Sequence, residues 1–346
     1  MRIHANPCAP MADQKPRNGD YMLKHVRIRK IGKWLVLITA YLYIPLLVTF
    51  MLKGDRSGSL DIPVGKSVIT GPKVNIVYNN GSQAVSLEDF VTMAVAREYS
   101  RDSNGTGDQD EMLKALAVLI RTDVVCQMHG RNVIDSTSLE NGYLRKSQMK
   151  TLWGKNWQET YNKIAGLVKE TSGQVIKYQE KCVRTMYTRV STGKTMSGSR
   201  LLGEEFTYLA EVECPKDLES PDYQVTKEFS GSEILSCIKE KKKETGIDTD
   251  NPCQDIQVVS KTDEGYVTGM QVGDLVMSGE EFVQMMGLNS AYLSVEYRKD
   301  SIKITSKGVG MGFGMSLYTA NIMSLDGENY QKIIKHFYPE CIILSL

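Results

Sequence analysis

The clearest folding pattern in the chain is a short apolar run followed by two amphipathic segments. Residues 74–78 predict a strand, because the apolar run ends at a turn signal, Asn79-Asn80-Gly81. From residue 86 to about 99, apolar residues recur at three- and four-residue spacing, and Ser86 stands where a helix N-cap is expected. After a polar stretch, residues 111–126 predict a second helix, one side of which carries Leu113, Leu116, Ala117, Ile120 and also Arg121.

Farther along the chain, short helical patterns alternate with strand-like patterns. Two helices are predicted to close the chain after a glycine-rich loop, and four others precede that loop, at residues 147–153, 157–170, 232–243 and 280–286. Strands are predicted at residues 174–178, 181–190, 206–212, 223–229, 256–277, 293–297 and 301–305. The expected fold class is therefore α+β, a body of mixed helices and antiparallel sheet, arranged as one unit or as two lobes.

A long apolar run precedes this folding region. Residues 34–52 form a stretch of nineteen residues without a charge, and a helix of that length spans roughly 28 Å, close to the thickness of a bilayer core. A secretory signal peptide is the competing interpretation, but its apolar run is usually about 7–15 residues and ends at small residues suited to cleavage. Here the charged segment Lys53-Gly54-Asp55-Arg56 follows instead. We therefore expect an uncleaved membrane anchor.

The distribution of charge gives this anchor an orientation. The chain has 42 Lys and Arg against 41 Asp and Glu, a net charge of +1, which excludes binding of a polyanion by bulk charge, so no nucleic-acid partner is predicted. Residues 1–33 nevertheless carry a net +6, and such basic flanks stay in the cytoplasm. The predicted organisation is a cytoplasmic tail (1–33), a transmembrane helix (34–52), a stalk (53–73) and an extracytoplasmic domain (74–346) in the cell membrane.

Cysteine and histidine usage gives little support for a metal centre. Four His are present in the whole chain, and the C-x-x-H formed by Cys126 and His129 has no second pair at zinc-finger spacing. No metal site is predicted. The six cysteines after the apolar run either pair as three disulfides, in any of 15 connectivities, or remain free and mostly buried thiols. They are Cys126, Cys182, Cys214, Cys237, Cys253 and Cys341.

Glu98 is the residue whose position most suggests catalysis. Phe90, Ala94 and Glu98 follow one another at four-residue spacing, so the carboxyl group projects from the face that seeks the core, near the end of the helix. Burial and the negative end of the helix dipole both favour a protonated carboxylic acid, which is the form that a glycosidic general acid requires. The alternatives are a surface residue at a frayed helix end or a structural pair with Arg121.

Two further features leave their roles open. Arg121 lies on the apolar side of its helix, and a buried Arg needs an acidic partner or an anionic ligand. The run 308–314, GVGMGFG, fits neither G-x-G-x-x-G nor a P-loop, and its glycines suit either a groove wall or a tight structural turn. No Ser-His-Asp order, nucleophile elbow or zinc-protease motif is present.

Several short blocks are similar to motifs that occur together in one protein family. Residues 87–98 contain L-E-D-F and V-A-R-E, which are similar to L-E-x-Y and V-A-x-E. The next block, LAVLIRT at residues 116–122, is similar to Q-A-V-A-A-R-T. Three shorter blocks follow, VSTGKT at 190–195, FTYL at 206–209 and ESP at 219–221.

The C-terminal blocks are the closest match. Residues 308–321, GVGMGFGMSLYTAN, resemble G-x-G-H-G-x-G-M-S-Q-Y-G-A, and residues 334–339, IKHFYP, resemble I-L-x-H-Y-Y-P. Taken in this order, the blocks resemble the stage II sporulation protein D family, the membrane-anchored peptidoglycan lytic transglycosylases of engulfment in spore-forming bacteria.

The resemblance implies non-hydrolytic cleavage of the bond between N-acetylmuramic acid and N-acetylglucosamine, leaving an anhydro sugar, without a cofactor. Glu98 would act first as acid and then as base. The substrate would be glycan strands stripped of stem peptides, and the implied partners are a cell-wall amidase and a polytopic membrane protein. The implied glycan-holding residues are Arg121 and Tyr208, and those lining the groove are Ser191, Thr195, Gly310, Gly312, Gly314 and Tyr318.

The chain also departs from the family pattern. Met311 stands where the family has His, Leu317 and Leu116 stand where it has Gln, and Thr192 stands where it has Gly. The region of a His/Cys zinc site in some relatives, residues 135–143, contains neither residue type here. The competing hypothesis is therefore a glycan-binding scaffold or amidase enhancer that has lost turnover.

Overall fold

The structure, a computed structural model, describes residues 71–78, 81–101, 109–139, 142–241 and 253–346. These residues all fall within one compact unit. The predicted anchor at residues 34–52 lies outside the described residues. Within the described ranges, no helix combines the length and the hydropathy needed to cross a membrane.

The helices confirm most of the helical pattern predicted from sequence. Helix α1 begins where predicted, since the Ser86 hydroxyl accepts a hydrogen bond from the amide of Asp89 (N···O 3.1 Å). The described helices are α1 Leu87–Arg101, α2 Asp110–Met128, α3 Lys146–Trp153, α4 Trp157–Glu170, α5 Gly198–Leu201, α6 Gly231–Lys241, α7 Gly279–Met286, α8 Leu317–Leu325 and α9 Tyr330–Phe337.

The strands form small, mostly antiparallel sheets, in agreement with the predicted α+β class. The described strands are β1 Lys73–Tyr78, β2 Gly81–Ser86, β3 Val133–Asp135, β4 Gln174–Tyr178, β5 Lys181–Cys182, β6 Tyr187–Thr188, β7 Gln224–Ser230, β8 Ile256–Lys261, β9 Val267–Val272, β10 Leu275–Ser278, β11 Leu293–Tyr297, β12 Ser301–Lys307, β13 Met315–Ser316 and β14 Ile342–Ser345. Their orders in the sheets are β2-β1-β3, β10-β9-β8, β11-β12-β7 and β14-β4-β5, and β13 pairs with β6. Pairing is parallel between β1 and β3 and between β6 and β13.

Helix α2 is the centre of the helical part of the fold. Its residues from Leu113 to Val124 are buried almost without interruption, which is the pattern of a helix covered on all sides. It packs against α1, α4, α8, α9 and strand β4. The elements from both ends of the described chain therefore meet on one helix.

Arg121 holds this centre together from inside. Its side chain has no exposed surface, and its guanidinium makes a bidentate ion pair with Glu88 of α1 (Nε···Oε1 2.8 Å, Nη2···Oε2 2.6 Å). Further donors reach the backbone carbonyls of Gln174 (3.1 Å) and Val168 (3.2 Å). Because a buried guanidinium requires such partners, the pair fixes α1 against α2 and α4.

A second buried charge ties distant loops together. Asp217 has no exposed surface and accepts hydrogen bonds from the amide of Ser191 (2.6 Å) and the hydroxyls of Ser316 (2.7 Å) and Thr319 (2.7 Å). Ser316 is also the N-cap of α8. Asp217 therefore fixes the start of α8 against the segment that follows β6.

Two predicted strands differ from the structure. Residues 206–212 contain no strand, since the Leu209 carbonyl accepts from the amide of Gly198 (2.8 Å) and the Leu209 amide closes a turn onto Phe206 (3.0 Å). Residues 181–190 contain only the two-residue strands β5 and β6. Strand β14, which pairs with β4, was not predicted, because four residues at the chain end carry too short a pattern.

We predict that Glu88→Gln lowers the free energy of unfolding by about 3–5 kcal/mol, because it leaves the buried charge of Arg121 without a counter-charge. Urea unfolding of the full chain, followed by tryptophan fluorescence, measures the change. The matched control is Glu219→Gln, which removes an exposed carboxylate paired with the exposed Lys216 and is expected to cost less than about 1 kcal/mol. Equal effects of the two variants would contradict the structural role of the Arg121 pair.

Candidate active site

Glu98 lies in the last turns of α1, where two pockets meet. The residue is 5% exposed and lines both pockets. The first, here called the helical pocket, lies between α1, α2 and α8, and its walls include Leu113, Leu116, Leu317, Tyr318 and Asn321. The second, here called the arginine pocket, includes Arg97, Arg101, Tyr187, Arg189, Asn289, Gly310 and Met311. The sequence expectation that this carboxyl group faces inward is confirmed.

The two oxygens of the Glu98 carboxylate have different surroundings. Oε1 contacts Nη1 of Arg97 (2.8 Å) and Nη1 of Arg101 (3.5 Å), and it accepts a hydrogen bond from the hydroxyl of Tyr187 (3.4 Å). Oε2 is buried and has no hydrogen-bond partner among the described residues. One oxygen is thus held in place by the protein, and the other keeps its hydrogen-bonding capacity.

Tyr187 remains a hydrogen-bond donor to this carboxylate. Burial, followed by the negative charge of Glu98, raises the pKa of the Tyr187 hydroxyl well above its ordinary value. The phenol therefore stays protonated across the physiological range. Its position is set by β6, which pairs with β13 just before α8.

The glycine-rich loop lies along the segment that carries Tyr187. The amide of Arg189 donates to the carbonyl of Val309 (2.9 Å), and the amide of Met196 donates to the carbonyl of Gly312 (2.8 Å). A Cβ on Gly310 would lie 2.7 Å from the Thr188 hydroxyl, so glycine permits this close approach. The loop is therefore both a structural turn and, at Gly310 and Met311, a wall of the arginine pocket.

Arg189 connects the two pockets. It lines both of them, and its Nη2 donates to the carbonyl oxygen of Arg101 (2.7 Å) and lies 3.6 Å from a carboxylate oxygen of Asp222. The end of α1 is thereby linked to the segment after β6. The guanidinium of Arg189 thus lies beside Asp222 and lines the same pocket as Arg97 and Arg101.

Of the predicted glycan-binding residues, the structure brings Gly310 and Tyr318 to the pockets that contain Glu98. Arg121 lines neither pocket, so the prediction that it holds the glycan is wrong. Its ion-pair partner is Glu88, and the alternative of a structural pair with Glu98 is therefore wrong as well. A guanidinium without exposed surface cannot contact a glycan in this arrangement.

The other predicted residues serve local packing. The amide of Ser191 donates to Asp217 (2.6 Å), Thr195 Oγ1 donates to the carbonyl of Ala210 (3.1 Å), and the Tyr208 hydroxyl donates to the carbonyl of Arg184 (2.9 Å). Mainly through burial, the pKa of Tyr208 is raised. Gly312 bonds to the Thr188 hydroxyl, and a Cβ on Gly314 would overlap the carbonyl of Met186.

Sequence reasoning missed the residues that contact Glu98. Arg101 stands three positions after Glu98 on the same helix, where helical spacing places a neighbour, whereas Arg97, one position before Glu98, is not expected from that spacing to face it. Tyr187 and Arg189 come from a segment about ninety positions away, and no local pattern indicated that they would join the site.

The described residues contain no group of three metal-ligating side chains close enough to hold an ion. The expectation that the protein works without a cofactor remains a prediction. The six cysteines from Cys126 to Cys341 are free thiols, and the thiol of Cys182 donates to the carbonyl of Thr122 (3.8 Å).

Comparisons with known proteins agree with the motif pattern. Residues 79–178 match the family model described as Stage II sporulation protein. The chain is 27% identical over 286 residues to "Stage II sporulation protein D" of Bacillus subtilis (strain 168), covering 79% of this chain and 80% of that protein. It is 28% identical over 268 residues to the protein of the same name from Bacillus amyloliquefaciens, covering 75% and 74%.

A more distant relative has a different name. The chain is 23% identical over 282 residues to "Amidase enhancer" of Bacillus subtilis (strain 168), covering 68% of this chain and 38% of that protein. With the motif blocks from residue 87 to residue 339, these matches confirm the predicted resemblance to the stage II sporulation protein D family.

Proposed function

We propose that the chain is a lytic transglycosylase that cleaves the bond between N-acetylmuramic acid and N-acetylglucosamine in peptidoglycan during sporulation engulfment. The observation that carries this proposal is the buried carboxyl of Glu98 at the junction of two pockets, with Oε2 free of any hydrogen-bond partner among the described residues. The family resemblance supplies the substrate class, and the geometry of Glu98 supplies the reacting group.

A single carboxyl group suffices for this reaction. In the first half, protonated Glu98 gives its proton to the glycosidic oxygen, which leaves with the N-acetylglucosamine. In the second half, the Glu98 carboxylate accepts the proton of the muramic C6 hydroxyl as that oxygen attacks C1. The proton is returned to Glu98, no water is consumed, and the product carries a 1,6-anhydro ring.

The contacts of Glu98 Oε1 suit the base role most directly. Arg97, Arg101 and Tyr187 all contact Oε1, so they stabilise the carboxylate that the first half leaves behind. Oε2 remains the oxygen that carries the proton. A hydrolase of the common type would need a second carboxylate. The two other carboxylates that line these pockets are those of Asp123, which bonds Arg184 at 2.6 Å, and Asp222, which lies 3.6 Å from Arg189.

The second candidate function is a glycan-binding scaffold or amidase enhancer. It is favoured by Met311, which is 38% exposed in the arginine pocket where the family motif has His, and it agrees with the name of the more distant relative. A thioether cannot donate a hydrogen bond to a sugar or to Glu98. In this second case the protein would bind glycan strands beside an amidase without cutting them.

We also propose that residues 34–52 anchor the chain in the cell membrane and leave residues 74–346 outside the cytoplasm. The support is the uncharged run of nineteen residues behind a tail with a net charge of +6. In this position the protein would reach the septal cell wall and work with a cell-wall amidase and a polytopic membrane protein, the partners that the resemblance implies.

The role of Glu98 is tested by incubating the full-length chain, purified in mild detergent, with peptide-free glycan strands. Mass spectrometry of the products is expected to find anhydro-muramic ends. Glu98→Gln, which cannot carry the proton, is expected to lower the rate by about 10²–10⁴-fold, whereas Glu296→Gln, on an exposed strand that lines neither pocket, is expected to leave it unchanged. Intact glycan that retains the wild-type protein would overturn the enzyme proposal in favour of the scaffold.

The anchor is tested in bacterial protoplasts that express the full chain with one tag at each end. We expect the protein to stay with the membrane after alkaline carbonate extraction, the C-terminal tag to be digested by added protease, and the N-terminal tag to be protected. Loss of the N-terminal tag before protease treatment would indicate a cleaved signal peptide, and digestion of the N-terminal tag alone would indicate the opposite orientation.

A further inference from the structure

The charges around Glu98 are distributed unevenly between the two pockets. Three guanidinium groups, those of Arg97, Arg101 and Arg189, line the arginine pocket. Two of them, Arg97 and Arg101, share a single oxygen of Glu98. The other carboxylate in this pocket, that of Asp123, already bonds Arg184 at 2.6 Å. The arginine pocket therefore has more positive charge than its own carboxylates balance.

The helical pocket, by contrast, has its arginine charge balanced and is partly apolar. Its guanidinium, Arg189, has Asp222 beside it in the same pocket, and its walls include the apolar side chains of Leu113, Leu116 and Leu317. The side-chain oxygen of Asn321 is buried there without a hydrogen-bond partner among the described residues. This pocket therefore offers an acceptor and apolar surface, which suit a neutral sugar with hydroxyl and amide donors.

Arg101 is the arginine best placed to receive an anionic ligand. Its contact with Glu98 is long, 3.5 Å, and its side chain is 45% exposed, whereas Arg97 lies at 2.8 Å and is 35% exposed. The guanidinium of Arg97 also packs against Gly142, where a Cβ would lie 2.5 Å from its central carbon. Arg97 is thus committed to holding Glu98, and Arg101 keeps donors for another partner.

We propose that the two pockets give the glycan a direction: the arginine pocket binds the muramic acid through its free lactyl carboxylate, and the helical pocket binds the neutral N-acetylglucosamine on the other side of Glu98. This inference rests on the proposed function. A guanidinium pairs with a carboxylate through two parallel hydrogen bonds, whereas an amide-linked lactyl group carries no charge. Arg101 would then be a specificity-determining residue that favours muramic acid without a stem peptide.

The test measures binding of the full-length Glu98→Gln chain to two glycan tetrasaccharides. One carries free lactyl carboxylates, and in the other these groups are converted to primary amides, which keeps the shape and removes the charge. We expect the acid form to bind about tenfold more tightly, as for one charge-assisted contact. Adding Arg101→Gln should remove this preference while leaving affinity for the amide form unchanged. The matched control, Arg200→Gln, removes an exposed arginine that lines neither pocket and should leave the preference intact.

The outcomes separate this inference from the proposed function. Equal binding of the acid and amide forms by Glu98→Gln, or a preference that survives Arg101→Gln, overturns the directional assignment, even where the wild-type chain still produces anhydro ends. Failure of the wild-type chain to cleave, with the charge preference present and dependent on Arg101, supports the directional assignment and overturns only the proposal of turnover.

Discussion

The ion pair between buried Arg121 and half-buried Glu88 is the contact on which the geometry of the site depends. Glu88 lies in the first turn of α1 and Glu98 lies ten residues later on the same helix, a distance of roughly 15 Å along its axis. Because the guanidinium of Arg121 accepts few arrangements of its partners, it fixes how α1 is turned against α2. A buried ion pair of this kind contributes a defined arrangement more than net stability, and here that arrangement brings Glu98 to the junction of the pockets.

The rest of the site is brought to Glu98 by contacts between segments far apart in the chain. The segment around Tyr187 runs along the glycine-rich loop, and Asp217 fixes that segment to the start of α8. The loop glycines allow the backbones to approach closely enough for this contact. Glu98, Tyr187 and the pocket walls thus come from three regions that only the folded chain unites.

The sequence predicted the parts of the fold that are encoded locally. Helices α1 and α2 have clear three- and four-residue periodicity, so both they and the inward direction of Glu98 were predictable. The position of Arg121 on the apolar side of its helix predicted a buried cation, but it did not specify the acidic partner. Glu98 was one candidate, and the structure shows that the partner is Glu88. Residues 206–212 alternate like a strand yet form turns, because long-range hydrogen bonds outweigh local preference. The contacts of Tyr187 and Arg189 depend on the fold as a whole and had no local signature.

The proposed reaction needs one carboxyl group, and its nucleophile is the substrate's own hydroxyl, not water. The most direct measurement is digestion of peptide-free glycan by the full chain in water enriched in ¹⁸O, followed by mass spectrometry of the new chain ends. Attack by the C6 hydroxyl is expected to give anhydro-muramic ends that contain no ¹⁸O. Reducing muramic ends that have gained ¹⁸O from the solvent would mean that water attacks the sugar, and they would contradict the proposed reaction.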